Sequence, residues 1–129
     1  MPALWTFKGF LSENGRDIFQ EWYEQLPERA QAKFDTILEY LRDTPQTQWS
    51  TTLVLALTET EGIFEIRFKI RNVLYRPLRC FGPGRGEFTL LVPAREHGNA
   101  FEPKNAIALA AARRRIVLQE KGRARECHF

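Results

Sequence analysis

Between Phe64 and Arg71 the chain places Arg67, Lys69 and Arg71 two residues apart, alternating with Phe64, Ile66, Phe68 and Ile70. Successive strand residues point to opposite faces. One face of this segment is therefore apolar, and the other carries three cations beside Glu65. Cations at this spacing suit the phosphates of a polyanion; a solvated strand face is the other reading. Arg113, Arg114 and Arg115 form a second cationic run, and the terminal KGRARECHF adds more. These too suit phosphates, or a solvated helix end. No Ser-His-Asp set, phosphate loop or paired-carboxylate site stands out. Cys127 and His128 are adjacent, but two potential ligands do not make a zinc site. Neither a metal nor a small-molecule cofactor is expected.

The elements that must position these groups fit one domain, since the chain has 129 residues. Its net charge of +3 hides an asymmetry. Residues 1–65 hold 5 Lys/Arg and 11 Asp/Glu, whereas residues 66–129 hold 14 and 5. One half repels nucleic acid and the other attracts it. The basic half equally suits an acidic partner segment. No apolar run is long enough for a membrane span, and MPALWTFKGFLSENG lacks the basic start and long apolar run of a secretory leader. Cytoplasmic residence is the expectation, with Cys80 and Cys127 as free thiols.

Residues 3–11 read as a first strand. Asn14 or Ser12 is a candidate cap for a helix over 15–25, with Ile18, Phe19, Trp22, Tyr23 and Leu26 at helical spacing. Pro27 suits the first turn of a second helix over 28–42, which carries Ala30, Phe34, Ile37, Leu38 and Leu41. The short link predicts an antiparallel helical hairpin. Residues 51–57 read as a short strand or extended segment. Strands follow over 63–70, 73–81 and 87–93, with Asn72 as a turn candidate and a bulge or break expected near Pro77. Residues 94–102 read as a loop. A last helix opens at Pro103 and ends at Gly122, with Ile107, Ala111, Ile116 and Leu118 as its apolar side. This order predicts an α+β domain: a curved antiparallel sheet of residues 3–10, 63–70, 73–81 and 87–93, packed against the helical hairpin, with a C-terminal helix.

GIFEIRF, YRPLRCF, EFTLLVPAREHG and FEPKNAIALAAARRR, in that order behind an acidic helical hairpin, resemble the phage-derived, Gp49-like and HigB-like proteins of the RelE/ParE toxin superfamily. The resemblance covers about residues 15–120. It implies a small toxin fold, a cytoplasmic helix-turn-helix antitoxin as partner, and messenger RNA cleavage on the ribosome by metal-independent attack of the 2′-hydroxyl. One branch of the superfamily poisons DNA gyrase instead.

By the same resemblance, Arg76 in YRP matches a strand arginine that clamps the scissile phosphate, where a guanidinium fork would meet developing charge. The alternative is an arginine paired with Glu65 or Glu87 to hold the sheet. Arg95 in PAREHG matches a second catalytic arginine, or is a solvated loop residue. Lys69 and Arg71 resemble basic residues that grip RNA. A phosphate contact suits Lys69 better than a proton-transfer role, because lysine is a poor base unless its environment disfavours the cation. Arg67 falls in the Glu65-Ile66-Arg67 pattern, which reads equally as structural. His97 is of the residue type suited to protonating a leaving 5′-oxygen; exposure without function is its plainer reading. Arg113 and Arg114 are candidates for RNA or ribosome contact.

One position departs from the pattern. A tyrosine is expected six residues after the second arginine, and this chain has Phe101 there. Phenylalanine can stack on a base but has no hydroxyl for a proton. The sequence thus supports three readings: a ribosome-dependent mRNA endoribonuclease, a non-catalytic prophage regulator or gyrase-directed toxin, and a basic protein that acts through a partner.

Overall fold

The structure, a computed structural model, describes residues 4–127. Ala3 and His128, which the sequence reading placed in a strand and beside Cys127, lie outside the described residues. The strands are β1 (Thr6–Phe10), β2 (Val54–Ala56), β3 (Phe64–Ile66), β4 (Phe68–Ile70), β5 (Val73–Tyr75), β6 (Leu78–Phe81), β7 (Glu87–Val92), β8 (Arg95–His97), β9 (Ala100–Glu102) and β10 (Ala124–Glu126). The α-helices are α1 (Ile18–Gln25), α2 (Glu28–Asp43) and α3 (Ala106–Gln119). Together they make a small α+β domain with an N-terminal helical pair, a mixed β-sheet and a C-terminal helix.

The helical pair forms where the apolar spacing puts it. Asp17, rather than Asn14 or Ser12, caps α1: its side chain accepts from Gln20 N at 3.0 Å. Ser12 closes the preceding turn instead, accepting from Arg16 N at 3.0 Å. Pro27 immediately precedes α2, and its carbonyl accepts from Ala30 N and Gln31 N. The α2 stripe of Ala30, Phe34, Ile37, Leu38 and Leu41 is buried. Each such large apolar side chain contributes about 1.5–3 kcal/mol. Tyr23 Oη donates to Asp35 at 2.8 Å and Gln31 Nε2 to the Tyr23 carbonyl at 2.7 Å, which joins the two helices.

The sheet is mixed, not antiparallel throughout. β1 runs parallel to β7, because the long passage through α1, α2 and β2–β6 supplies the crossover a parallel neighbour requires. Six strands pair in the order β10-β1-β7-β6-β3-β2 and four in the order β4-β5-β8-β9. The chain crosses between the two sets directly at Arg67, at Arg76-Pro77 and at Pro93-Ala94, and returns to the first set a last time through α3. Prolines at two of these places give no ladder donor. A register shift lies between Leu78 and Arg79, so the break expected near Pro77 is present. Two backbone bonds span the fold line, Ile66 N to Pro77 O and Arg76 N to Ala94 O, both 2.9 Å.

Residues 94–102 are not a loop. They form the β8–β9 hairpin about Gly98 (φ 56°) and Asn99 (φ 66°). Two consecutive left-handed residues make the tight turn whose twist matches the strands. The stretch 51–57 contains β2, and the tail returns as β10 beside β1.

The expected apolar side of α3 is corrected as well. Ile107 and Leu118 are exposed, and the helix buries Ala106, Ala110 and Val117 instead. Arg113 falls in that same stripe. Small alanines allow the helix to lie close to β6 and β7. The helix ends at Gln119, ahead of Gly122.

Arg71, in the β4–β5 turn, has φ 55°. A side chain in the left-handed region costs about 1–2 kcal/mol that glycine avoids. Arg71→Gly is therefore expected to raise stability by about 0.5–1 kcal/mol in urea unfolding. Unchanged or lower stability would mean that contacts of the Arg71 side chain offset the strain.

Both cysteines are free thiols. Burial pushes Cys80 up to about 11, and burial aided by Asp17 and Glu126 pushes Cys127 up to about 12. A thiol raised in the folded state is ionised first in the unfolded chain, so each removes stability as pH rises above 9. Arg79 acts in the opposite sense, because burial lowers it to about 9. Tyr23, pushed up to about 12 by burial and its bond to Asp35, joins the thiols as pH approaches 10. Stability should fall between pH 9 and 10, by about 1 kcal/mol per pH unit. In the Cys80→Ala/Cys127→Ala variant the fall should become clearly shallower. A wild-type slope of zero in urea titrations over that window would refute the assignment.

Candidate nucleic-acid interface

The pleat divides the predicted site residues between two faces. Lys69 pairs with Leu74, and Arg76 is two residues beyond Leu74, so Lys69 and Arg76 share the face on which α3 packs. Tyr75 pairs with Arg95, which places Arg95, and His97 two residues on, toward the α1–α2 side.

On the α3 side, Arg76 is the hub. Its Nε donates to Glu65 Oε2 at 2.7 Å and its Nη1 lies 3.5 Å from Glu96 Oε1. Its guanidinium stacks 3.8 Å above the Phe101 ring centre. Arg67 Nε lies 3.9 Å from Glu65 Oε1. Glu65 is only 2 % exposed, so a buried carboxylate is held between two arginines. Arg76 is thus both an ion-pair partner of Glu65 and a mostly covered cation that still reaches the surface, with its side chain 14 % exposed. Phe101 offers a base at most one ring face, since Arg76 takes the other. Lys69 is exposed beside this cluster. Arg71 lies at the tip of the β4–β5 turn.

On the α1–α2 side, Arg95 Nε donates to Glu102 Oε2 at 3.2 Å, and His97 Nδ1 lies 3.7 Å from the same oxygen. Their hairpin register brings this about: Arg95 faces Glu102 and His97 faces Ala100. A cavity of about 690 Å³ adjoins, lined by Trp22, Pro27, Val73, Tyr75, Arg95 and Glu102 among others. Trp22 and Tyr75 meet edge to face in its wall, their ring centres 6.3 Å apart. The arrangement suits a flat group set against aromatic rings with a cation at one end.

The arginine run on α3 separates by direction. Arg113 turns inward, donating from Nη1 to the Leu91 carbonyl at 2.8 Å and covering the Phe10 ring at 4.8 Å. That contact accounts for Arg113 as a structural residue. Arg114 lies half-buried against Gly62. Arg115 donates to Glu61 through Nε at 2.8 Å and pairs through Nη2.

Sequence reasoning missed the carboxylates Glu96 and Glu102 and the lining residues Trp22 and Tyr75. A signal existed for the first two. Gly98-Asn99 between REH and AFE has the form of a two-residue hairpin, and that register sets Arg95 opposite Glu102 and Glu96 opposite Phe101. Among the described residues, no group of three or more His, Cys, Asp and Glu could hold a metal, and no helix is long and apolar enough to cross a membrane. No family model, curated protein or solved structure matches the chain.

Proposed function

We propose that this protein binds RNA on the sheet face that carries Lys69, Arg76 and Phe101, as the toxin of a two-gene module of the RelE/ParE kind held in check by a helix-turn-helix antitoxin. Binding, rather than strand scission, is its principal act on free RNA. The observation that carries this reading is the Arg76 cluster: a guanidinium stacked on Phe101, with exposed Lys69 on the same face. Two features favour binding over in-line chemistry. Arg95 and His97 point to the opposite side of the sheet, and Arg76 has carboxylates at both Nε and Nη1. An arginine so engaged can still give its remaining N–H groups to a phosphate.

Ribosome-dependent mRNA cleavage is the second reading, and the exposure of the Arg95–Glu102–His97 group favours it. A ribosome-held strand that reached both faces of the β8–β9 hairpin would meet both sets.

The test is fluorescence anisotropy with a single-stranded RNA in rising salt, paired with mapping of RNA ends in a translation reaction. Each phosphate contact adds about 0.7 to the slope of log affinity against log salt. Lys69→Ala should lower the slope by about that amount. Arg76→Ala should weaken binding further, because it removes both a cation and the N–H groups left for a phosphate. Saltless, sequence-blind failure to bind would end the RNA reading. New 2′,3′-cyclic phosphate ends on translating ribosomes would establish the second. Inhibition of DNA supercoiling without either would favour the gyrase-directed class.

A further inference from the structure

Arg79 has no accessible surface, and none of its Nε, Nη1 and Nη2 atoms has a hydrogen-bond partner among the described residues. Its guanidinium stands 4.3 Å from the ring centre of Phe88, 4.7 Å from Trp49, 4.8 Å from Phe81 and 4.9 Å from Phe64. Three of these rings belong to the sheet. Phe64 sits directly opposite Arg79 on β3, and Phe81 pairs with Phe88 across β6 and β7. Trp49 comes from elsewhere, the segment 44–53.

That segment is largely bonded to itself. Trp49 Nε1 donates to the Thr44 carbonyl at 2.9 Å, Gln48 N to Pro45 O, Trp49 N to Gln46 O, and both Leu53 N and Val54 N to Ser50 O. Its ties to the body are the bond from Thr44 N to Leu41 O at 3.4 Å where it leaves α2, the bond from Tyr40 Oη to Gln48 O at 3.0 Å, the bond from Arg67 N to Leu53 O at its far end, and the packing of Trp49 and Leu53. Most of its other residues are small, polar and exposed. Such a segment opens at lower free energy than the whole fold.

We propose that residues 44–53 are a lid over a phosphate-binding site in which Arg79 is the recognition group and Trp49, Phe64 and Phe81 present ring faces to a nucleotide base. A guanidinium is a fork of donors matched to phosphate oxygens. Here the fork is closed off by rings, each of which can stack on a base. Lifting Trp49 uncovers donors that no acceptor among the described residues holds. The ligand chemistry is a phosphate joined to a planar base, supplied by a free nucleotide or by a unit of an RNA strand. The site lies on the α1–α2 side of the sheet, so it stands independently of the Arg76 face.

The neighbouring residue supplies an internal control. Cys80 is fully buried and points to the other face of β6. Arg79 can be labelled with phenylglyoxal and Cys80 with a thiol reagent, each in the full chain, and both rates referred to those of the unfolded chain. In the wild type, protection of Arg79 should be at least about tenfold weaker than that of Cys80. Trp49→Ala should weaken Arg79 protection further and leave Cys80 unchanged; Trp49→Leu serves if the alanine variant does not fold. In that variant AMP should slow Arg79 labelling more than ribose 5-phosphate does, and inorganic phosphate least. Protection by a short oligoribonucleotide but not by AMP would assign the strand as the source. Arg79 and Cys80 labelled in step, in wild type and variant alike, would mean that only global unfolding reaches Arg79 and would overturn the proposal. So would the absence of protection by all four probes, or equal protection by AMP and inorganic phosphate.

Discussion

Arg79→Met is expected to raise the stability of this protein by about 1–4 kcal/mol, the range found when buried ionic groups give way to apolar ones of similar volume. A kilocalorie is worth about 4 °C in melting temperature for a chain of this size. The sign follows from opposing terms. Four ring faces attract the guanidinium, each by about 0.5–2 kcal/mol. Against them stand the desolvation of a full charge, several kcal/mol even after relaxation, and donors with no acceptor among the described residues. The lowered titration of Arg79, caused by burial, points the same way. Methionine keeps most of the volume and drops the charge. Arg79→Ala drops both and should lose about 2–5 kcal/mol, as other large-to-small core changes do. The pair of variants separates charge from volume in one thermal or urea series. A loss of stability in the methionine variant would mean that the aromatic box holds the cation at a net gain.

Glu65→Leu should destabilise the fold by about 3 kcal/mol, because removing one partner of a buried ion pair leaves the other uncompensated. Glu65 is 2 % exposed and sits 2.7 Å from Arg76 and 3.9 Å from Arg67. The partial exposure of both arginines keeps the loss near the low end of what such changes cause. The same substitution frees Arg76 Nε, so RNA affinity at low salt should rise several-fold while stability falls. Opposite movement of the two readouts distinguishes a binding arginine from a purely structural one. Glu65→Leu/Arg76→Met should regain most of the lost stability, with a coupling of about 2–3 kcal/mol in the double-mutant cycle. If RNA affinity falls along with stability, Arg76 serves the sheet and the binding face lies elsewhere.

Local chemistry was legible wherever one short-range rule decided it. The α2 stripe follows from 3.6-residue spacing, and the burial of Ile66 and Phe68 from strand alternation. The irregularity at Pro77 follows from a missing donor. Where two rules competed, the chain alone did not choose. In α3, Ile107 and Leu118 are the larger apolar groups, but alanines permit the closest approach to β6 and β7, and the close-packed stripe takes Arg113 with it. In the segment 94–102, loop composition outweighed the Gly98-Asn99 hairpin until cross-strand pairing settled it.

What the sequence determined by itself was the presence of a helical hairpin, an apolar sheet and a strongly basic second half. Spacing and charge are properties of neighbours along the chain, and they need no knowledge of distant partners. Tertiary structure alone decided which cations are free. Arg76 meets Glu65 across eleven positions and Arg115 meets Glu61 across fifty-four. Arg79 finds no acceptor among the described residues. An ion pair depends on separation in space, and the fold line at Arg67, Pro77 and Pro93 sets that separation by returning three strands across one another. The same pleat places Arg76 on one side of the sheet and Arg95 with His97 on the other, a division that pairing register creates and that no spacing within either segment contains.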